Sequence, residues 1–299
     1  MPLSLLLLPL IAQASALNGP SVGNAMGLPL IDRPADARPR HRGVVFDFPT
    51  PPSHLKSCLD TADRDPVAGA QAARDWLGNV AKDGALSATA EPQLCLGAAL
   101  IVAEDWVGAE QALTAGRNAA AASDLVLRGQ LAGMAGNAAL AQGAADRALS
   151  MLDTGHADAL AAGNSGLAGG IAIDRARALV ALNRPAEAAT ALAEARTALP
   201  NDAQGWLLSA TLSRRMNALT EAQAQIETAA QLAPTDPEIG LEAGVIAMVS
   251  GHESAARKSW TSVTKTAPGT DAGKRAAAYL AQIGPETMKI EPTTSVIKR

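Results

Sequence analysis

The chain has 299 residues, 48% of them hydrophobic but only 2% aromatic, and a formal net charge of −4. A net acidic chain without a basic stripe is not a general phosphate-backbone binder. The shortage of rings leaves alanine and leucine to fill any core, and alanine both favours helix and lets helices approach closely, so composition points to helix packed on helix.

Residues 1–16 read MPLSLLLLPLIAQASA. Leu3 to Ile11 is an apolar run too short to span a bilayer, and Ala14-Ser15-Ala16 is a small-x-small cleavage signal, so a signal peptide ending at Ala16 is expected. No Lys or Arg precedes the run, which leaves an uncleaved amino-terminal anchor as the alternative. No later apolar stretch is long enough to span a bilayer. Residues 17–52 mix proline and glycine without helical period and are read as an extended or disordered linker. Arg33, Arg38, Arg40 and Arg42 lie there beside Asp32 and Asp36, as a solvated segment. Val44 to Phe48 is the exception: a strand-like patch that docks on the chain's own body or on a partner.

From Ser53 onward the pattern is helical. Its decisive feature is an internal repeat: Pro200, Pro234 and Pro268 stand 34 residues apart. In phase with them recur Ala176, Ala210 and Gly244, then Asn183, Asn217 and Gly251, then Ala188, Ala222 and Ala256, then Leu192, Ile226 and Trp260. The first and third sets suit a close helix crossing, the second a turn tolerating positive φ, the fourth a packing knob, and the prolines a helix stop.

This spacing resembles the tetratricopeptide repeat. The resemblance is strongest over 169–268, as three regular repeats. It weakens over 53–152, where Leu96-Gly97, Asp105-Trp106, Ala109 and Leu113 mark one degenerate unit and Gly129, Gly136-Asn137, Ala141 and Ala148 the next. A first unit spans 53–80, with Ala70 as its small crossing residue. Gly97 and Gly129 are 32 residues apart, whereas Gly129 and Ala176 are 47 apart, so 153–168 is read as a glycine-rich insertion. The family's aromatic at the start of the first helix survives only as Trp206. Asp271 caps a last helix over 269–284, which covers the end of the stack, and 285–299 is a polar tail. The implied fold is an all-α solenoid of antiparallel helix pairs.

Chemistry-bearing motifs are sparse. His41, His54, His156 and His252 are far apart and form no metal-ligand spacing. There is no phosphate loop, dinucleotide fingerprint or nucleophile elbow, and Glu187, Glu194, Glu221, Glu227 and Glu253 sit where solvated faces are expected. No cofactor and no catalytic or metal site is expected. The resemblance implies that Cys58 and Cys95 lie on neighbouring first helices, where a disulfide can form in an oxidising compartment; two small buried hydrophobes are the alternative.

In the family the first helices line a concave groove. Here that face carries Ile173, Arg177 and Val180, then Leu207, Thr211, Arg214 and Arg215, then Leu241, Val245 and Met248. It suits an extended peptide or a partner helix with an acidic group, and the alternative is that several of these residues bury against neighbouring helices. The expected function is a non-enzymatic interaction scaffold in the bacterial envelope or periplasm, with a protein or peptide partner and no nucleic acid. An accessory subunit of a separate envelope enzyme or transport complex is the alternative, and an enzyme hidden in the solenoid a third.

Overall fold

A computed structural model describes residues 53–80, 82 and 86–284, all within one compact unit. The signal segment, the linker 17–52 and the tail 285–299 lie outside the described residues. The described chain holds thirteen α-helices and no strand, so it is the all-α solenoid the repeat implies. The helices form six hairpins and a final single helix: α1 (Ser53–Arg64) with α2 (Pro66–Val80), α3 (Ala90–Val102) with α4 (Trp106–Ala119), α5 (Leu125–Ala141) with α6 (Ala145–Ala161), α7 (Ser165–Ala181) with α8 (Pro185–Ala198), α9 (Ala203–Arg215) with α10 (Leu219–Leu232), α11 (Pro237–Val249) with α12 (Glu253–Thr266), and α13 (Asp271–Ile283). Each helix packs on the next, and first helices also touch first helices, as α1 with α3, α5 with α7, α9 with α11 and α11 with α13.

One local grammar builds five of the hairpins. Glu104, Gly143, Asn183, Asn217 and Gly251 turn the chain with φ between 55° and 82°. Glycine and asparagine tolerate that left-handed region. Seven residues before each turn stands Gly97, Gly136, Ala176, Ala210 or Gly244. Five after it stands Ala109, Ala148, Ala188, Ala222 or Ala256, all fully buried at 0% exposure. Nine after it comes the knob: Leu113, Leu152, Leu192, Ile226 or Trp260. The small residue and the knob touch. A Cβ on Gly97 would lie 2.4 Å from Leu113, one on Gly136 2.6 Å from Leu152, and one on Gly244 2.2 Å from Trp260.

This register corrects two expectations. Gly136, not Gly129, is the crossing residue of the α5–α6 hairpin. Gly129 instead faces Gly155 of α6, whose carbonyl a Cβ there would meet at 3.1 Å. Nor is 153–168 an insertion between repeats, since 153–161 completes α6, 165–168 begins α7, and only 162–164 turns. The spacing stretches because α5, α6 and α7 each run to 17 residues, against 13 in α3, α9 and α11. The interval from crossing residue to turn stays at seven, so the added residues all sit at the opposite edge of the hairpin. They come to about one turn, ~5.4 Å of helix.

In the first hairpin the closest approach is at Gly69, where a Cβ would fall 2.4 Å from Ala62 Cα, while Ala70 is buried beside Ala62 and Ala99. The cap of α13 is Thr270 rather than Asp271: the Thr270 hydroxyl accepts from the Gly273 N–H at 3.0 Å, and Asp271 is the first helical residue. Elsewhere Asp105, Asp124, Asn164, Asp202 and Asp236 cap first or second helices through their side chains, each satisfying an otherwise orphaned N–H.

Candidate functional site

Three cross-links tie first helices together, each by a different chemistry. Cys58 on α1 and Cys95 on α3 form a disulfide, with Cα atoms 6.1 Å apart and a sequence separation of 37. Asn137 on α5 donates from Nδ2 to Asp174 Oδ2 on α7 at 2.7 Å. Arg214 on α9 meets Glu242 on α11 through Nε–Oε1 at 2.6 Å and Nη2–Oε2 at 3.4 Å. The last pair is almost dry, with side-chain exposures of 6% and 3%. A bidentate geometry of this kind is what makes a buried ion pair tolerable.

The expected groove residues divide in two. Ile173, Leu241, Val245 and Met248 are buried, at 1–5% exposure, and Arg214 is consumed by Glu242. Ile173 packs in a cluster with Ala172 and Ala195, and α11, apolar apart from Glu238 and Glu242, contacts α9, α10, α12 and α13. Leu207 and Thr211 are partly exposed and Arg215 is exposed. Arg177 is 38% exposed and pairs with Asp174 on its own helix. Arg215 makes no ion pair or hydrogen bond with any described residue.

Sequence reasoning missed the partners Asn137, Asp174 and Glu242. The signal was there: Asp174 and Glu242 each stand two residues before a crossing residue, inside an apolar run, GIAIDRA and IGLEAGV. A lone carboxylate in such a run needs a partner, but the partner lies 37 residues away for Asn137 and 28 for Arg214.

A further polar cluster lies between α6, α7 and α8. Arg175 bridges Asp153 at 2.7 Å and Glu194 at 3.2 Å, and Arg184 chelates Glu187. His156 comes within 3.8 Å of Glu194. Burial, followed by the nearby Arg175 cation, pushes the His156 imidazole below its ordinary pKa. Both arginines of this cleft already have carboxylate partners. Among the described residues no three His, Cys, Asp or Glu side chains gather closely enough to hold a metal ion, and no described helix is long and apolar enough to cross a membrane.

Compared with known proteins, the chain matches no family model and no curated sequence. Its fold does match solved structures. PilW, a widely conserved type IV pilus biogenesis factor, superposes with a TM-score of 0.63 over 75% of this chain and 96% of that one, at 11% identity. BtubC (BKLC) from P. vanneervenii gives 0.55 over 82% and 98%, at 16% identity. TTC0263, a thermophilic tetratricopeptide protein of Thermus thermophilus, gives 0.51 over 64% and 99%, at 18% identity. Identities this low speak to the fold alone, and the fold is the tetratricopeptide-type α-solenoid.

Proposed function

We propose that this chain is an exported, non-enzymatic scaffold that holds another protein on the face formed by its first helices. The observation that carries the reading is a row of accessible polar side chains at one equivalent position, the residue after the crossing, on three successive first helices: Asn137, Arg177 and Thr211. Partly exposed Leu140, Val180 and Leu207 accompany the row, giving it the mixed apolar and polar character of a recognition surface. The charges of the α6–α8 cleft pair within the chain; in this row Asn137 and Arg177 are both held by Asp174, yet their side chains still reach solvent.

Export and an envelope location are supported by the Cys58–Cys95 bridge, because structural disulfides persist mainly in oxidising compartments. The short apolar run at Leu3–Ile11 agrees with it. PilW, a pilus biogenesis factor, offers a precedent for this fold in assembly of a surface structure.

A photo-crosslinking residue placed at Thr211 tests the binding face, with the same residue at Lys258 of α12 as control. Expression with the native amino terminus in a Gram-negative host should give the bridged chain in the periplasm and a discrete adduct from position 211 alone. Recovery of the reduced chain in the cytoplasm would overturn export. An adduct from position 258 but not from 211, or from neither, would overturn the scaffold face.

A further inference from the structure

Among the described residues α13 is a first helix without a second. Ala278 stands 34 residues after Gly244, in phase with the crossing residues, and Leu280 is in phase with Ala99, Ala138, Ala178, Leu212 and Ile246. In the five hairpins of regular grammar both places are buried, with the second helix packed across the crossing. On α13 Ala278 is exposed, Ala277 and Ala281 are exposed beside it, and Leu280 is partly exposed. The other side of α13 serves the stack: Ala272, Gly273, Ala276 and Tyr279 are buried, and Tyr279 lies against Trp260. A terminal helix needs a polar outer face for solubility, whereas this one presents alanine and leucine in the register of a packed crossing.

The residues that follow have the wrong sequence to close the hairpin. Seven places past the crossing, where the other hairpins turn, stands Pro285, whose ring excludes positive φ. Gly284 makes the turn one residue early, at φ 68°. The alanine of a second helix, twelve past the crossing, would be Ile290, and its knob, sixteen past, would be Thr294. Moving the register back by one residue gives Lys289 and Thr293 instead, and in either register Pro292 interrupts a helix joining the pair. From this register we infer that α13 is half of a hairpin that another protein finishes: a single partner helix packs antiparallel on α13, in the place of a second helix. The site is separate from the row at Asn137, Arg177 and Thr211.

The five complete hairpins show what such a helix must carry. Each second helix has a buried alanine and, four residues on, a large apolar knob, from Ala109 with Leu113 to Ala256 with Trp260. Charge sets the rest. Arg257, Lys258, Lys265, Lys274 and Arg275 on α12 and α13 outnumber Glu253 and Asp271, a positive end on a chain of net charge −4. Lys274, with a side chain 70% exposed, stands four residues before the crossing. The equivalent place on α11 is Gly240, where a Cβ would meet Val263, three residues past the Trp260 knob, at 2.6 Å. A carboxylate three residues past the partner's knob therefore comes to Lys274. The partner is an acidic amphipathic helix reading Ala-x-x-x-Leu-x-x-Glu, with isoleucine or tryptophan serving in place of leucine. A second copy docking through its own α13 is disfavoured, because it brings like charge to a positive end.

The test uses the full chain and, as probe, an acetylated and amidated peptide of the α10 sequence Leu219–Leu232 carrying Ala229→Glu, which sets a glutamate three residues past Ile226. The fluorescently labelled peptide should bind saturably in anisotropy titrations, and a photo-crosslinking residue at Ala281 should capture it. Affinity should fall about tenfold or more with Ile226→Ala in the peptide, and equally with Ala278→Leu in the chain, which blocks the crossing from an exposed position and is confirmed folded by circular dichroism. Lys274→Glu should weaken the glutamate peptide and prefer the Ala229→Lys peptide, a reversal that generic stickiness would not give. Absence of saturable binding, affinity indifferent to Ala278→Leu, or no reversal with Lys274→Glu would overturn the proposal. So would a cross-link in the unaltered chain from position 281 to residues 285–299 or to a second copy, since either would show the place already filled.

Discussion

Gly244 and Trp260 offer the sharpest test of the crossing geometry. Trp260 is fully buried, donates from Nε1 to the Leu241 carbonyl at 3.1 Å, and lies 5.1 Å from the Tyr279 ring. A Cβ at position 244 would fall 2.2 Å from that Nε1, so Gly244→Ala must displace the indole and strain its hydrogen bond. Overpacking costs about 1–3 kcal/mol and an unpartnered buried donor about 1–3. The better helix propensity of alanine returns about 1, leaving a net loss of roughly 3 kcal/mol. Trp260→Leu alone leaves a cavity and should cost about 2–3 kcal/mol. The double variant recreates the Ala176/Leu192 arrangement of the α7–α8 hairpin, two hairpins earlier. It should therefore be no less stable than Trp260→Leu alone, a coupling of about 3 kcal/mol between the two sites. Urea unfolding followed by far-ultraviolet circular dichroism measures the sum. Hydrogen exchange of α11 to α13 reads the local effect, since ends of a solenoid can open by themselves. If Gly244→Ala costs less than about 0.5 kcal/mol, or the two changes add within about 0.5, the reasoning is wrong.

Other changes probe the cross-links and turns. Glu242→Ala should destabilise by about 3–5 kcal/mol, since it strands a buried guanidinium, whereas Arg214→Met with Glu242→Leu should be near neutral; equal losses in urea titrations would refute the pairing argument. Loss of the 37-residue Cys58–Cys95 loop closure should cost about 4 kcal/mol, read as faster exchange in α1 and α2 of a Cys95→Ser chain, and two free thiols in the denatured unreduced protein would show the bridge absent. Asn217 sits at φ 61°, so Asn217→Gly should be neutral or stabilising and Asn217→Ala should cost about 1 kcal/mol in thermal melts. For His156 the folded pKa lies below the ordinary 6.5. As pH falls through that value the unfolded chain takes up a proton that the folded chain resists, so stability drops on acidification. A His156→Gln chain should lose part of that slope, and an unchanged pH profile would contradict it.

What the sequence reveals, and what it hides, follows from how narrowly each position is constrained. Asn183, Asn217 and Gly251 are legible because a left-handed turn admits few residue types, and Pro200, Pro234 and Pro268 because a proline two residues past a helix has one plain meaning. The glycines near 163–170 mislead because glycine has two uses. Gly163 does turn the chain, at φ 67°. Gly169 instead lies inside α7 for want of space, where a Cβ would sit 2.8 Å from Leu199 and 2.9 Å from Ala198. Arg214 reads as part of the binding face because its partner is remote in sequence, and a long cationic side chain looks exposed until the buried carboxylate is found. Arg177 shows the opposite case: its accessibility is legible, but its charge balance depends on Asp174, three residues earlier on its own helix, being locked by Asn137 from another.

The seven-residue step from crossing residue to turn is fixed in five hairpins, while the distance from one turn to the next varies from 34 to 40 residues, as Asn183–Asn217 and Gly143–Asn183 show. Each hairpin therefore has a gauged end and a free end. Residues gained or lost at the free end lengthen a helix without disturbing the contact that sets how helices cross. A helix lengthened at its free end turns its added side chains to solvent without touching the crossing, as the exposed Leu160 near the end of the 17-residue α6 does.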